Sequence, residues 1–346
     1  MQVQLKSIRD YVGDVRSQPR DNAGNPIPNP AHQPNLTIHS TVTRERMWGK
    51  GANQPLEVSV YSIAPGEEDT WHHHPDHIEL VICWRGRGTA TIVRSSAGPA
   101  FEFPIQPGDS IVVPKGALHK FRALLNDEML LPNPANLPVP IQPSRIWPVE
   151  KLELVVIHAH GCVRVPDAGQ LPAVQKLDRN DPDPKIANEL YRMMRPIGKF
   201  CGYARDPKLQ CVRSRIWGRE AERNFAGDAD DAKPTLHFTA YTFIPGQENP
   251  EHYHPLSVEF VMCLQGRAHM TVRPMLKPGD FEAGWKDPFN VAEMNEGDTA
   301  LVPMGALHWY CNATNEDCVL IALQSPHPIL HILEDDAPVA PVTRRL

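Results

Sequence analysis

At 346 residues the chain has room for two domains of roughly 150 to 200 residues, each able to bury its own core. A net charge of −6 and a pI near 6.2, with no long basic run, leave no electrostatic footprint for a phosphate backbone, so nucleic acid is excluded as an expected partner. The opening MQVQLKSIRDYVGDV lacks the apolar run of a signal peptide and no stretch of about 18 uncharged apolar residues follows, so a soluble, cytoplasmic protein with no membrane partner is expected.

Residues 1–35 pass from a short helix-capable piece into the proline- and asparagine-rich DNAGNPIPNPAHQPN and read as an extended N-terminal arm of the kind that lies on a neighbouring subunit. From Leu36 short β-rich runs begin. In LEVSVYSIAP, Val58 and Val60 fall on one face and Ser59 and Tyr61 on the other, a period of two rather than 3.6. GRGTATIVR and FEFPIQPGDSIVVP continue as strands separated by glycine and proline turns, the pattern of an antiparallel barrel or sandwich. Residues 125–150 interrupt this first domain, 36–162, with a proline-rich insertion that reads as a rigid surface contact or a lid. A linker over 163–204 follows and contains the best helical stretch, KIANELYRMM. A second domain, 205–333, repeats the first: CVRSRIWG mirrors TVTRERMWG, pairing Arg213 with Arg44, Arg215 with Arg46 and Trp217 with Trp48. A polar tail, 334–346, closes the chain. The 36 prolines favour short strands and fixed turns over long helices, and the seven scattered cysteines, with no C-x-x-C pair, fit reduced thiols better than a disulfide framework.

Two segments carry the chemistry. GEEDTWHHHPDHIELVICWRG, from Gly66 to Gly86, holds His72, His74 and Glu79, and GDSIVVPKGALHKF, from Gly108, holds His119. The second half repeats both, as GQENPEHYHPLSVEFVMCLQG with His252, His254 and Glu259, and GDTALVPMGALHWY with His308. Alternate residues of a strand share a face, so the histidine pairs at i and i+2 point together, with His73 and Tyr253 turned away. A four-residue gap with Pro75 or Pro255 lets each glutamate return on the neighbouring strand, and a Pro-x-Gly turn sets where the last histidine falls. Three nitrogen donors and one carboxylate leave about two open positions on an octahedral ion. Fe(II) is the first expectation, with Mn(II), Ni(II), Co(II), Cu(II) or Zn(II) as alternatives and up to two ions per chain. A closed structural zinc site would be tetrahedral and often use thiolate.

These segments match G-x5-H-x-H-x4-E-x6-G followed by G-x5-P-x-G-x2-H-x3-N in both halves, over about 250 of the 346 residues, and the chain resembles a bicupin. One departure is that the final asparagine is present as Asn312 but is Ala123 in the first half. The resemblance implies an all-β protein of two tandem cupin domains, each a small antiparallel barrel or jelly roll with a metal inside its mouth, joined by a short helical connector. Residues alternating with the ligands line the expected substrate pockets: Val81, Cys83 and Phe121 in one domain, and Val261, Cys263, Tyr310 and Asn312 in the other. Further histidines, His73, His77, His158, His160 and His269, read as surface residues or supports for the ligands.

The leading functional expectation is a metal-dependent dioxygenase that cleaves an aromatic or enol-type carbon–carbon bond of a small organic substrate with O2. Glu79 or Glu259 would leave the metal or act as base, and Tyr310 would be a proton donor or acceptor. Bicupin quercetinases resemble this chain in length and in their three-histidine, one-glutamate site. The second expectation is a manganese enzyme like oxalate decarboxylase. That family places an arginine three residues before the first ligand histidine, where this chain has Asp69 and Asn249, and Asp69 would repel a dicarboxylate. A non-catalytic bicupin that binds a small molecule is the third. A homodimer or higher homo-oligomer is the expected assembly.

Overall fold

The computed structural model describes residues 4–7, 36–39, 42–48, 56–93, 98–125, 151–159, 164–166, 172–202, 211–217, 237–255, 257–273, 290–325 and 332–333. The rest of the N-terminal arm, the proline-rich insertion beyond Leu125 and the tail lie outside the described residues. Two compact units emerge, one formed by residues 36–199 and the other by 4–7, 200–217 and 237–333.

Each unit is a pair of facing sheets. In the first, a seven-stranded sheet runs Met194–Pro196, Asp109–Val113, Glu79–Arg85, Leu152–Ala159, Leu56–Ile63, Val42–Trp48, Leu36–His39. Its six-stranded partner runs Val165–Pro166, His72–His73, Leu118–Ala123, Gly88–Val93, Ala100–Ile105, Val174–Lys176, and is antiparallel apart from the pairing of the last two. The second unit has sheets of six and five strands. Its six-stranded sheet begins with Leu5–Ser7, which pairs with Asp298–Val302 of the same chain. The fold is therefore all-β, and Pro184–Met193 is the one α-helix among the described residues. Asp183 caps this helix by accepting from Lys185 N at 2.8 Å, with Pro184 in the first turn where its missing N–H costs nothing. Leu190 and Met193 anchor the helix to the first unit's core. The stretch expected as a linker thus adds three strands and a helix to that unit. No helix among the described residues is long and apolar enough to cross a membrane.

Alternation along the strands builds each core. Glu79, Val81 and Cys83 turn to the same side, as do Leu152, Leu154, Val156 and His158; Tyr61, Ile63, Phe103 and Phe121 join the apolar members to fill the space between the sheets. Tyr241, Phe243, Val261, Met270 and Tyr310 do the same in the second unit. The glycine that ends each first motif is required by geometry: Gly86 sits at φ 73°, and a Cβ there would come within 2.1 Å of the Lys151 carbonyl oxygen.

Candidate metal centres

The Pro-x-Gly turns act as spacers between ligand segments. Ala117 N closes the first turn on Pro114 O at 3.0 Å, and Gly116 N reaches back to His74 O at 2.8 Å, tying the turn before His119 to the loop that carries His74. Gly305 N makes the same 2.8 Å bond to His254 O. His72 pairs directly with His119, and His252 with His308, so two histidines of each set belong to one sheet, and His74 and His254 follow just after its short strand. The glutamates arrive differently from the sequence expectation: Glu79 lies on the facing sheet, between Val113 and His158, and Glu259 lies between Val302 and Gln324. Pro75 and its successors carry the chain across the sandwich rather than to an adjacent strand.

The result is two buried clusters, His72–His74–Glu79–His119 and His252–His254–Glu259–His308, whose ligand atoms lie within 4.8 Å of one another. The imidazoles are set for coordination by their own backbone. His119 Nδ1 lies 3.0 Å from Ala117 O, His252 Nδ1 2.8 Å from Pro250 O and His308 Nδ1 2.9 Å from Ala306 O. A carbonyl only accepts, so each Nδ1 carries the hydrogen and each Nε2 lone pair faces the centre. His72 Nδ1 has Thr70 O at 2.9 Å as its acceptor, which selects the same tautomer. The Nε2 atoms of His72, His119 and His308 are buried with no hydrogen-bond partner. Orphaned, converging lone pairs beside a carboxylate are costly unless a cation satisfies them, and this donor set fits a divalent metal.

Electrostatics agree. Burial alone would raise the Glu79 carboxyl, but the imidazoles of His119 and His74 hold it well below the usual carboxylate range. Glu259 behaves likewise under His308 and His254. Burial and the neighbouring His119 and Arg164 push His72 far down, which keeps it a neutral ring able to donate a lone pair.

Behind the ligands the two centres differ, and of the residues there Glu57, Arg164, His237 and Gln324 are not singled out by sequence patterns. In the first unit Arg44 and Arg46 bind Glu57, and Arg44 Nη2 donates to His158 Nε2 at 2.9 Å; the His158 ring stands 5.7 Å from that of His74. Arg164 reaches from the strand beside His72 to the buried carboxylate of Asp69 and to Thr70 Oγ1 at 3.0 Å. In the second unit His237 replaces Glu57, and Gln324 replaces His158. Arg215 Nε donates to His237 Nε2 at 3.1 Å, His237 Nδ1 donates to Gln324 Oε1 at 2.9 Å, and Gln324 Nε2 donates to Glu259 Oε2. Tyr310 donates its hydroxyl to Glu259 Oε1, and burial together with that carboxylate pushes the phenol well above its ordinary range, so it stays protonated. The Arg-x-Arg-x-Trp repeat was the available signal: both copies aim an arginine at the position behind the ligands.

The expected pocket residues separate into groups. Val81, Phe121, Val261 and Tyr310 lie in the cores with the ligands, and Phe121 stands 5.9 Å ring to ring from His119. Cys83 and Cys263 lie two strand steps below their glutamates, with thiols directed at backbone oxygens of 85–86 and 265–266. Burial raises the Cys83 thiol, and the Cys318 side chain together with burial raises the Cys263 thiol, each well above its normal range, which makes them packing groups rather than nucleophiles. Asn312 is occupied by its own turn, donating to Glu316 O at 2.6 Å and accepting from Thr314 N at 3.0 Å. Of the additional histidines, His158 is buried beside a ligand, His73, His77 and His269 are part-exposed, and His160 lies outside the described residues. The described cysteines are free thiols.

Comparison with known proteins bears on this architecture. The Cupin domain family model matches twice, at residues 59–131 and 240–323, and each match contains all four residues of one cluster. The chain is a bicupin. Among curated proteins this bicupin is 31% identical to L-ectoine synthases of Vibrio campbellii and Vibrio parahaemolyticus over 94 residues, 27% of the chain and 69% of each synthase. Among solved structures a deletion mutant of Bacillus subtilis oxalate decarboxylase superposes with a TM-score of 0.58 at 14% identity, covering 97% of the bicupin and 80% of the decarboxylase. A structure of the same decarboxylase from a study of its Mn(II) centres superposes with a TM-score of 0.55 at 15% identity, covering 87% and 77%. At those identities the structural likeness speaks for the fold.

Proposed function

We propose that this bicupin is a divalent-metal-dependent enzyme, with Fe(II) as the first choice of metal, that oxidatively cleaves an aromatic or enol-type carbon–carbon bond of a small organic substrate with O2. The observation that carries this reading is the contrast between an apolar interior and an engaged set of charges around the first centre. Val81 and Phe121 line the interior beside the ligands, while the guanidinium of Arg44 is bound by Glu57 and that of Arg164 by Asp69. Among the described residues each guanidinium at that centre is thus in contact with a carboxylate, Arg44 and Arg46 sharing Glu57 and Arg164 holding Asp69, which suits a neutral or singly ionised chelating substrate better than a dicarboxylate. Asp69 itself is not the repelling group expected from the sequence, because it is buried behind His72 and neutralised by Arg164.

His72, His74, Glu79 and His119 would hold the ion in the first centre, and His252, His254, Glu259 and His308 in the second. Such an ion supplies Lewis acidity toward adjacent substrate oxygens and, if redox-active, a path for electrons to dioxygen. The side chains contribute positioning and proton handling. Glu79 takes the proton of a phenolic or enolic hydroxyl, which raises the electron density of the substrate anion. Phe121 and Val81 exclude water from that anion. Both atoms of O2 enter the product as the carbon–carbon bond breaks, so no external reductant is consumed. The identity with L-ectoine synthases supports an enzyme over a storage or binding protein.

The test is elemental analysis of protein purified without added metal, with oxygen-electrode traces on catechols, hydroquinones, flavonols and β-diketones. About two iron equivalents per chain with oxygen uptake on one class supports the reading. Manganese with no uptake on any class redirects it to non-oxidative chemistry such as decarboxylation, and protein that cannot be loaded with any divalent ion sinks it.

A further inference from the structure

The two clusters use the same four ligand types, yet their glutamates are restrained in different ways. Glu259 accepts from Tyr310 on Oε1 and from Gln324 on Oε2, and Gln324 is itself oriented by His237 and Arg215. Glu79 has no such clamp. Its carboxylate meets His74 Nε2 at 2.9 Å and His119 Nε2 at 3.3 Å, and neither oxygen has a hydrogen-bond partner. The difference traces to two substitutions at matching register positions. Phe121 stands where Tyr310 stands and cannot donate, and His158 stands where Gln324 stands and is turned to Arg44 and Glu57.

With an ion on the histidine lone pairs of the first centre, Glu79 would have no protein donor and would be held by that ion alone. Glu259 keeps its two donors whether or not an ion is present. A hydrogen bond to a carboxylate oxygen leaves a second lone pair free for coordination, so the donors to Glu259 do not block binding there; Gln324 Nε2 also lies 2.7 Å from His254 Nε2, and its second hydrogen has to turn from that lone pair when an ion binds. The clamp does withdraw some electron density, which weakens Glu259 as a donor. Restraint outweighs that loss, because removing outer partners from metal ligands typically costs 10–100-fold in affinity.

We infer that the two centres divide their roles: Tyr310 and Gln324 are positioning residues that make the second a metal-retaining site, and the first is the exchangeable site whose unclamped Glu79 moves during chemistry. This rests on both clusters being metal centres, as proposed above, but not on the reaction being a dioxygenation.

The experiment is release of Mn(II) to excess EDTA, followed by the Mn(II) signal in electron paramagnetic resonance. It is run on wild-type protein and on proteins with one centre removed, by His72→Ala with His74→Ala or by His252→Ala with His254→Ala. The expected result is biphasic release from the wild type, with the slow phase about 10–100-fold slower and belonging to the second centre. Tyr310→Phe should speed the slow phase about 10-fold or more while leaving the fast phase unchanged. Phe121→Tyr should slow the fast phase, and it decides the question if Tyr310→Phe fails to fold. A single release rate in wild type, a slow phase that belongs to the first centre, or rates indifferent to both substitutions would overturn the division. Protein in which neither centre retains Mn(II) would sink the metal reading with it.

Discussion

Replacing Arg179 with Met probes whether the stretch between the two barrels is part of the first. Arg179 grips Asp109 with both guanidinium nitrogens, one at 2.8 Å, and Asp109 is 1% exposed at the start of the second strand of the seven-stranded sheet, beside Pro196. Methionine keeps much of the aliphatic stem and removes the charge. Asp109 would retain one backbone donor, Gln106 N at 2.8 Å, but lose its counter-ion. Breaking a buried pair costs about 3–5 kcal/mol. With the guanidinium 16% exposed and a backbone donor remaining, the lower end, about 3 kcal/mol at pH 7, is expected. For a unit of this size that is a drop of about 6–12 °C in Tm by calorimetry. The pH dependence gives a second handle. Burial already raises the Asp109 carboxyl and Arg179 pulls it back, so the variant carboxyl rises further. An acid whose folded pKa exceeds its unfolded value near 3.9 is held most favourably when protonated, so the deficit is smallest near pH 4 and grows as pH climbs. Adding Asp109→Asn should recover most of the loss. A Tm within about 2 °C of wild type, or a deficit equal at pH 5 and pH 8, would refute the reasoning.

Divalent metal at about 100 times its Kd should raise stability by about 2.7 kcal/mol, seen as a metal-dependent Tm, while His119→Ala and His308→Ala should each remove one equivalent in metal titrations. Gly116→Ala, at φ 71° with open space around it, should cost about 1–2 kcal/mol in denaturant unfolding. Gly86→Ala should cost well beyond that, because its Cβ meets the Lys151 backbone at 2.1 Å as well as an unfavourable φ; equal costs would show that the close approach does not matter. Cys201 and Cys211, pushed up to about 12 by burial, should resist iodoacetamide at pH 8 in native protein and react after unfolding, as read by peptide mass mapping.

The local features of this protein were legible in the sequence because they are short-range. Period-two runs between glycine and proline turns specify strands, and the spacing of His72, His74 and Glu79, repeated at His252, His254 and Glu259, specifies the donor sets. The match of Arg44 with Arg213 and of Arg46 with Arg215 was equally visible, and the register confirms it, since Arg44 pairs with Tyr61 and Arg213 with Tyr241. What surrounds the ligands was legible only in part, as His158 and Tyr310 without their partners. Glu57, His158, His237 and Gln324 reach the centres only through pairing between strands far apart in the chain, and Arg164 meets Asp69 across 95 positions. Strand registry is set by the packing of whole sheets, which no local pattern encodes. Tertiary structure alone therefore decided that Glu79 faces its histidines from the opposite sheet. For the same reason it decided that Tyr310 clamps Glu259 while Phe121 leaves Glu79 unclamped.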